Sequence, residues 1–200
     1  MKIATIGAGN IGGTLGTLWA AQGHQVMFSS RHPESAKMQA LLQATHHTAK
    51  TGTVNEAIAF GDIILLAAPA AETDIILQQT GDFQNKIIIN SLNRMDKSSL
   101  REVVKLAAGA RVVRAFHLAP WEILSQPRFD NIPASSFITG TDEAAVNIVA
   151  LLIREIGFDP VVIKTEADML DLEAGLGLLW KVFSREYNRD FGIRLLRRTE

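Results

Sequence analysis

The stretch Lys2-Ile3-Ala4-Thr5-Ile6-Gly7-Ala8-Gly9-Asn10-Ile11-Gly12 decides how the rest of the chain is read. Residues up to Ile6 suit a buried strand, a glycine-rich turn follows, and a helical pattern then begins without a break. The glycines fall in the spacing G-x-G-x-x-G, which carries weight only because a strand precedes it and a helix follows. Gly7 permits a tight turn, Gly9 lets a pyrophosphate approach the backbone, and Gly12 lets helix and strand pack closely. The helix opening at Asn10 and Ile11 then turns its unpaired N–H groups toward the phosphates. The motif in this setting predicts a dinucleotide loop.

The next informative place is the end of the second expected strand, Gln25–Ser29, where the chain reads Phe28-Ser29-Ser30-Arg31-His32. An NAD-preferring domain usually puts Asp or Glu there for the ribose 2′-OH, and this chain has neither. A hydroxyl beside a guanidinium instead suits a 2′-phosphate, with charge-assisted bonds from Arg31 and a hydrogen bond from Ser30. His32 and Ser35 are positioned to assist. The expected cofactor is therefore NADP(H). A third segment, from Asp62 through Ala68 and Pro69, reads as a buried strand whose small terminal residues form a wall of the cofactor site.

Working outward, short apolar runs alternate with helical patterns along most of the chain. Strands are expected at Lys2–Ile6, Gln25–Ser29, Asp62–Ala67, Lys86–Asn90, Arg111–Ala115, Ser136–Thr139 and Pro160–Ile163. Helices are expected near 10–22, 33–45, 54–60, 71–79, 97–107 and 142–156. Capping-box spacing occurs at Thr53 with Glu56 and at Ser99 with Glu102. This alternation predicts an α/β fold, a Rossmann-type doubly wound and mainly parallel sheet. Residues 1–165 make the NADP-binding domain, and 166–200 a short helical appendage at the sheet's carboxyl edge, completing a substrate cleft or a dimer interface. Arg194, Arg197 and Arg198 close the chain as a solvated basic face, available to an acidic substrate or a neighbouring subunit.

Composition narrows the function classes. With 200 residues, a net charge of −1 and 47% apolar residues, the chain is an ordinary globular one, with no charge bias toward nucleic acid or anionic membrane. Its lack of cysteine removes disulfides, thiolate nucleophiles and cysteine metal sites, and suits a reducing cytoplasm. The glycines from Gly7 to Gly13 break any signal-peptide core, and the apolar run Ile63–Ala71 is too short to span a bilayer. His46 and His47 are adjacent and make poor joint metal ligands, so no metal is expected. Neither a nucleophile elbow nor a P-loop is present.

The chain resembles the NADP oxidoreductases dependent on the deazaflavin coenzyme F420 and their dinucleotide-binding relatives. The resemblance rests on Lys2 through Gly12, Gly23-His24, Ser30-Arg31, Val112 through His117, Gly157 through Pro160, and Phe191 through Leu196. In the middle motif many relatives carry asparagine and threonine where this chain has His117-Leu118. The resemblance implies hydride exchange between nicotinamide C4 and a deazaflavin, with a flavin as a variant acceptor. Such transfer depends on two rings held face to face in a dry cleft more than on an acid or base. It also implies that Ala115 lies against the nicotinamide, and that His117, Leu118, Pro120, Trp121 and Trp180 surround the acceptor. A homodimer is the expected assembly.

His117 follows an apolar strand and has an unperturbed pKa near neutrality, so it serves either the acceptor's chemistry or a backbone hydrogen bond at a loop start. Two other functions fit the same residues. One is reduction of a small imine or carbonyl compound. The other is a non-catalytic NADP(H) sensor, with Phe116, Trp121 and Trp180 filling the cleft.

Overall fold

Ile3 and Ala4 are both fully buried and yet face opposite ways, which is the simplest statement of the architecture. Both lie on β1 (Lys2–Ile6), whose side chains alternate across a sheet covered on both faces. On one face Ile3 joins Val26, Phe28, Ile63, Leu65, Ile87, Ile89 and Val113; on the other Ala4 and Ile6 join Ile64, Leu66, Ile88 and Val112. The computed structural model describes residues 1–79, 82–92 and 99–198.

The chain runs from β1 into α1 (Asn10–Ala21), β2 (Gln25–Ser29), α2 (Ala36–Ala44), β3 (Lys50–Gly52), α3 (Val54–Phe60), β4 (Ile63–Leu66) and α4 (Ala70–Gln79). It continues through β5 (Ile87–Asn90), α5 (Ser99–Leu106), β6 (Arg111–Arg114), α6 (Trp121–Ser125), β7 (Arg128–Phe129), β8 (Ile132–Pro133) and β9 (Ser135–Gly140). Helix α7 (Glu143–Glu155), β10 (Asp159–Val162) and α8 (Glu166–Tyr187) complete it. The sheet order is β10-β9-β6-β5-β4-β1-β2-β3, with β7 and β8 as a separate hairpin. Strands β1 to β6 are parallel neighbours in the Rossmann order 3-2-1-4-5-6. Beyond them β9 runs antiparallel to β6, and β10 runs parallel to β9. The fold is therefore the expected α/β Rossmann-type sheet, mainly parallel, with a C-terminal helix.

The Thr53–Glu56 capping box forms: the Thr53 N–H donates to Glu56 at 2.7 Å, and the Glu56 N–H donates to Thr53 Oγ1 at 3.3 Å. The bonds that the Thr53 N–H and hydroxyl donate to the Glu56 carboxylate hold it below the usual range. The start expected for α5 at 97 and the cap expected from the Ser99 side chain lie outside the described residues.

Trp19 binds the two halves of the sheet's cover. Its ring is wholly buried, its indole N–H donates to the Leu152 carbonyl at 3.1 Å, and it meets Phe116 edge-on at 5.9 Å. Phe116 has φ of 64°, which costs an L-residue about 1–2 kcal/mol. Burial of its ring against Trp19 offsets that cost. Helix α8 is capped by Thr165 Oγ1, which accepts the Asp168 N–H at 3.1 Å, and Met169 is its buried residue. The tail then returns to β9: the Ser135 N–H donates to the Ile193 carbonyl at 2.7 Å, and Ser135 Oγ accepts the Leu195 N–H at 3.0 Å. Arg194 is not merely a solvated charge, because it pairs with Asp159 at 2.8 Å.

Gly16 tests how tightly α1 lies on the sheet. A Cβ there would stand 2.4 Å from the Phe28 ring. Alanine normally stabilises a helix interior by about 1 kcal/mol over glycine, whereas overpacking a closed core costs about 1–3 kcal/mol. Gly16→Ala is therefore expected to destabilise by about 1–2 kcal/mol in urea unfolding. A stabilised variant would show that the ring yields freely.

Candidate active site

The glycine loop has the shape its spacing predicted. Gly7 has φ of 97°, and a Cβ on it would come within 2.6 Å of the Ala68 backbone nitrogen. A Cβ on Gly12 would stand 1.9 Å from the Gly7 carbonyl oxygen, so α1 begins directly against the turn. Around Gly9 the result is opposite: an added Cβ would meet nothing within 4 Å. The first two glycines are dictated by protein packing, and the third faces open space. Helix α1 starts at Gly9 without a side-chain cap or an acidic residue in its first turn, so its opening N–H groups are free to meet an anion. The Gly7 N–H donates to Ser29 Oγ at 3.3 Å, tying the loop to the end of β2. These features fit a dinucleotide's pyrophosphate.

At the end of β2, the Ser30 hydroxyl accepts the His32 N–H at 3.0 Å, and Arg31 extends into solvent with 81% of its side chain exposed. The local sequence held no carboxylate, but the fold supplies one: Glu72, in the first turn of α4, lies 3.7 Å from the Arg31 guanidinium. This exposed pair is worth little by itself. Ala68 is buried beside Gly7 and Pro69 is exposed at the head of α4, where its carbonyl and that of Ala68 receive the Thr73 hydroxyl.

Beyond the loop opens a cleft of about 830 Å³. Asn10 and Ile11 line one end, residues 116–121 and Ser135–Phe137 its floor and side, and α8 with the returning tail its cover. His117, Leu118, Pro120, Trp121 and Trp180 all meet there. Ala115 does not: it is fully buried, and its N–H donates to the Asn90 carbonyl at 3.1 Å. Phe116 touches the cleft but is 2% exposed and belongs to the core, so it does not plug the space.

The floor holds a charged cluster that sequence reading missed. Arg114, at the end of β6, grips Glu173 of α8 with two bonds, from Nε to Oε1 and from Nη2 to Oε2, the latter 3.0 Å long. Its Nη1 also donates to the Leu92 carbonyl at 3.1 Å. His117 Nε2 lies 2.9 Å from Glu173 Oε1, while neither ring nitrogen has an aligned hydrogen-bond partner among the described residues. The Arg114 and His117 side chains are only 4% and 2% exposed.

Burial raises the Glu173 carboxyl pKa, but bonds and charge from His117 and Arg114 lower it further, to about 2. Burial dominates at His117 and lowers its pKa; Arg114 adds to that, and Glu173 and the Ala115 carbonyl oppose it. The cleft thus has a titratable pair that the sequence did not make obvious. One sign was available: a charge in the otherwise apolar run from Val112 to Phe116 needs a partner. Glu173 itself, on a Leu- and Gly-rich helix, carried no mark.

Among the described residues no three metal-ligating side chains cluster, and no helix is long and apolar enough to cross a membrane.

The fold and loop define a dinucleotide-binding α/β protein. Residues 2–94 match the family described as NADP oxidoreductase, coenzyme F420-dependent. Rat metalloreductase STEAP3 is 25% identical over 194 residues, covering 90% of this chain, which spans only 38% of that protein's length. A candidate F420-dependent NADP-reductase from Arthrobacter sp. FB24 superposes with a TM-score of 0.86 at 20% identity, covering 98% of this chain and 100% of that one. A reductive aminase from Aspergillus terreus, solved with NADPH and ethyl levulinate, gives 0.71 at 22% identity, over 92% of this chain and 62% of its own. At these identities the two structures show a shared fold.

Gly9 separates ligand space from packing. Gly9→Ala is expected to change stability by less than about 1 kcal/mol, since its φ of −80° suits alanine and its surroundings are open. The new methyl group would fill the phosphate's approach and weaken dinucleotide binding by about tenfold or more, which is ~1.4 kcal/mol. Calorimetric titration beside a thermal melt checks both halves. Unchanged affinity would remove the phosphate from this position.

Proposed function

We propose that this chain is an NADPH-dependent oxidoreductase that moves a hydride between NADP(H) and a deazaflavin or flavin-like acceptor. The observation that carries this reading is the continuity of the two spaces: Asn10 and Ile11 of the dinucleotide loop also line the 830 Å³ cleft. A cofactor whose phosphates lie on the N-terminus of α1 has its reactive end directed to the carboxyl ends of the strands, where α/β ligands bind. A cleft of this size, apolar and edged by Trp121, Phe137, Phe158 and Trp180, suits a flat ring system.

Gly7, Gly9 and Gly12 admit the pyrophosphate, and Ser30 and Arg31 take the 2′-phosphate. When bound, NADPH supplies the hydride. Residues 116–121 and α8 exclude water and orient the acceptor. A second reading, reduction of a small imine or carbonyl compound, is favoured by the titratable pair on the cleft floor. An open cleft is the observation that speaks against a sensor with a blocked site.

Stopped-flow mixing of NADPH-loaded protein with F420, FMN and FAD in turn tests the acceptor. Rapid oxidation by F420 alone is expected; oxidation by none of the three sinks the named reaction. Arg31→Ala is expected to weaken NADPH binding roughly tenfold to a hundredfold and to leave NADH binding unchanged. Equal losses for both would remove the 2′-phosphate from Arg31.

The active assembly is proposed to be a homodimer formed through α8, which leaves Leu178, Leu179, Val182 and Tyr187 exposed at 66%, 44%, 53% and 60%. Sedimentation is expected to give a dimer, and Leu178→Asp with Val182→Asp a monomer. A wild-type monomer at tens of micromolar would refute this.

A further inference from the structure

Reduction of an acceptor by hydride consumes a proton as well. The balance is NADPH + A + H⁺ → NADP⁺ + AH₂, where the hydride's electron pair forms the new bond on A and the proton neutralises the negative charge that remains. The described groups around the cleft can be sorted by whether they exchange that proton. The Ser91 hydroxyl donates to the Leu66 carbonyl at 2.6 Å. Ser135 is occupied by the tail, and Arg189 pairs with Glu122 at 2.8 Å. Arginine does not deprotonate, and Lys181, at the cleft's edge, is exposed to solvent rather than held against the floor. The Ser136 hydroxyl is too weak an acid for the task, and His117 and Glu173 remain, buried and half-buried at the floor and 2.9 Å apart.

We propose that His117 and Glu173 together hold the proton exchanged during hydride transfer, and that Arg114 is the positioning residue that clamps Glu173 against His117. The inference rests on the hydride-transfer reading above and adds to it the source of the proton. Three observations carry it. The pair faces the cleft from two different elements, β6 with its following loop and α8. The imidazole is buried without an aligned partner, which is costly unless the site has a use for it. Arg114 occupies both carboxylate oxygens of Glu173, so that carboxylate cannot turn away from the ring.

In acceptor reduction the imidazolium, with its Nε2 held 2.9 Å from Glu173 Oε1, gives up one proton to the acceptor and is left neutral. Solvent then recharges it. In the reverse direction the neutral ring takes the proton from the reduced acceptor. Charge acts on the ring from Arg114 on β6 and Glu173 on α8; Lys181 and Arg189 are the other cations along the cleft, both exposed. Because burial lowers the imidazole's proton affinity, reductive kcat/KM is expected to fall as pH rises past the depressed His117 value.

The decisive measurement is an NMR titration of the His117 imidazole in the full chain with NADP⁺ bound. Glu173→Gln is expected to lower the ring's proton affinity about tenfold by removing the adjacent negative charge. Arg114→Gln is expected to raise it. General loosening would move both variants the same way, toward the solvent value, so opposite signs identify the clamp. If Arg114→Gln does not fold, Glu173→Gln alone decides. An unchanged or raised His117 titration in Glu173→Gln overturns the proposal.

The kinetic counterpart is His117→Gln, expected to lose roughly a hundredfold in kcat/KM and to flatten the pH profile. Full activity with the wild-type profile would overturn the proton role while leaving hydride transfer intact. A wild-type protein that oxidises NADPH with no acceptor at any pH overturns both.

Discussion

A methyl group on residue 12 would stand 1.9 Å from the Gly7 carbonyl oxygen, and one on residue 7 would stand 2.6 Å from the Ala68 backbone nitrogen. These two contacts hold β1, the start of α1 and the end of β4 at a separation that no side chain permits. Much else depends on that separation. Helix α1 begins immediately beyond the strand, so its free N–H groups lie at the carboxyl edge of the sheet and not somewhere along its face. Ala68 is brought beside the loop, so the end of β4 packs directly against the glycine turn. Trp19, on the inner side of α1, can then reach both Leu152 and Phe116. Through Phe116 the same packing fixes the backbone from which His117 projects.

The opposite side of the cleft is held by different physics. Helix α8 buries Met169 and little else, and leaves several large apolar side chains in solvent. Its docking onto the sheet relies on Glu173, which meets Arg114 and His117 below. Such a cluster adds little net stability over an apolar substitute of the same shape. Removing one member, however, costs about 3–5 kcal/mol, because a buried charge loses its partner. The arrangement specifies one position for α8 more than it strengthens the fold. That is what a cleft needs when its cover must sit at a fixed distance from its floor.

This division explains what the sequence revealed. Gly7, Gly9 and Gly12 were readable because their roles are local: each is set by backbone within a few residues and by one neighbouring strand. The apolar runs of β1, β4, β5 and β6 were readable for the same reason. Strand β3 is short and polar at Lys50-Thr51, and exists because β2 offers an edge to pair with. Helix α6 and the β7–β8 hairpin are likewise too short to have a period. The antiparallel direction of β9 leaves no trace in its composition. Glu72 and Glu173 escaped notice because their partners, Arg31 and Arg114, lie far away in sequence. The left-handed conformation of Phe116 carries no sequence signal, since phenylalanine is not a residue that favours it.

The family match ends at residue 94, before Arg114, His117 and Glu173. That limit coincides with the physical boundary between the two halves of the site. Phosphate binding asks for backbone at a fixed spacing and tolerates almost no variation at Gly7 or Gly12. The cluster instead depends on side chains brought together from β6 and α8, where no backbone spacing of that kind is imposed. A buried histidine, a carboxylate locked by arginine and an apolar cleft are therefore the features on which the proposed acceptor reading rests. On the proposed reading the loop receives the cofactor, and the cluster beneath α8 lies where the acceptor would be reduced.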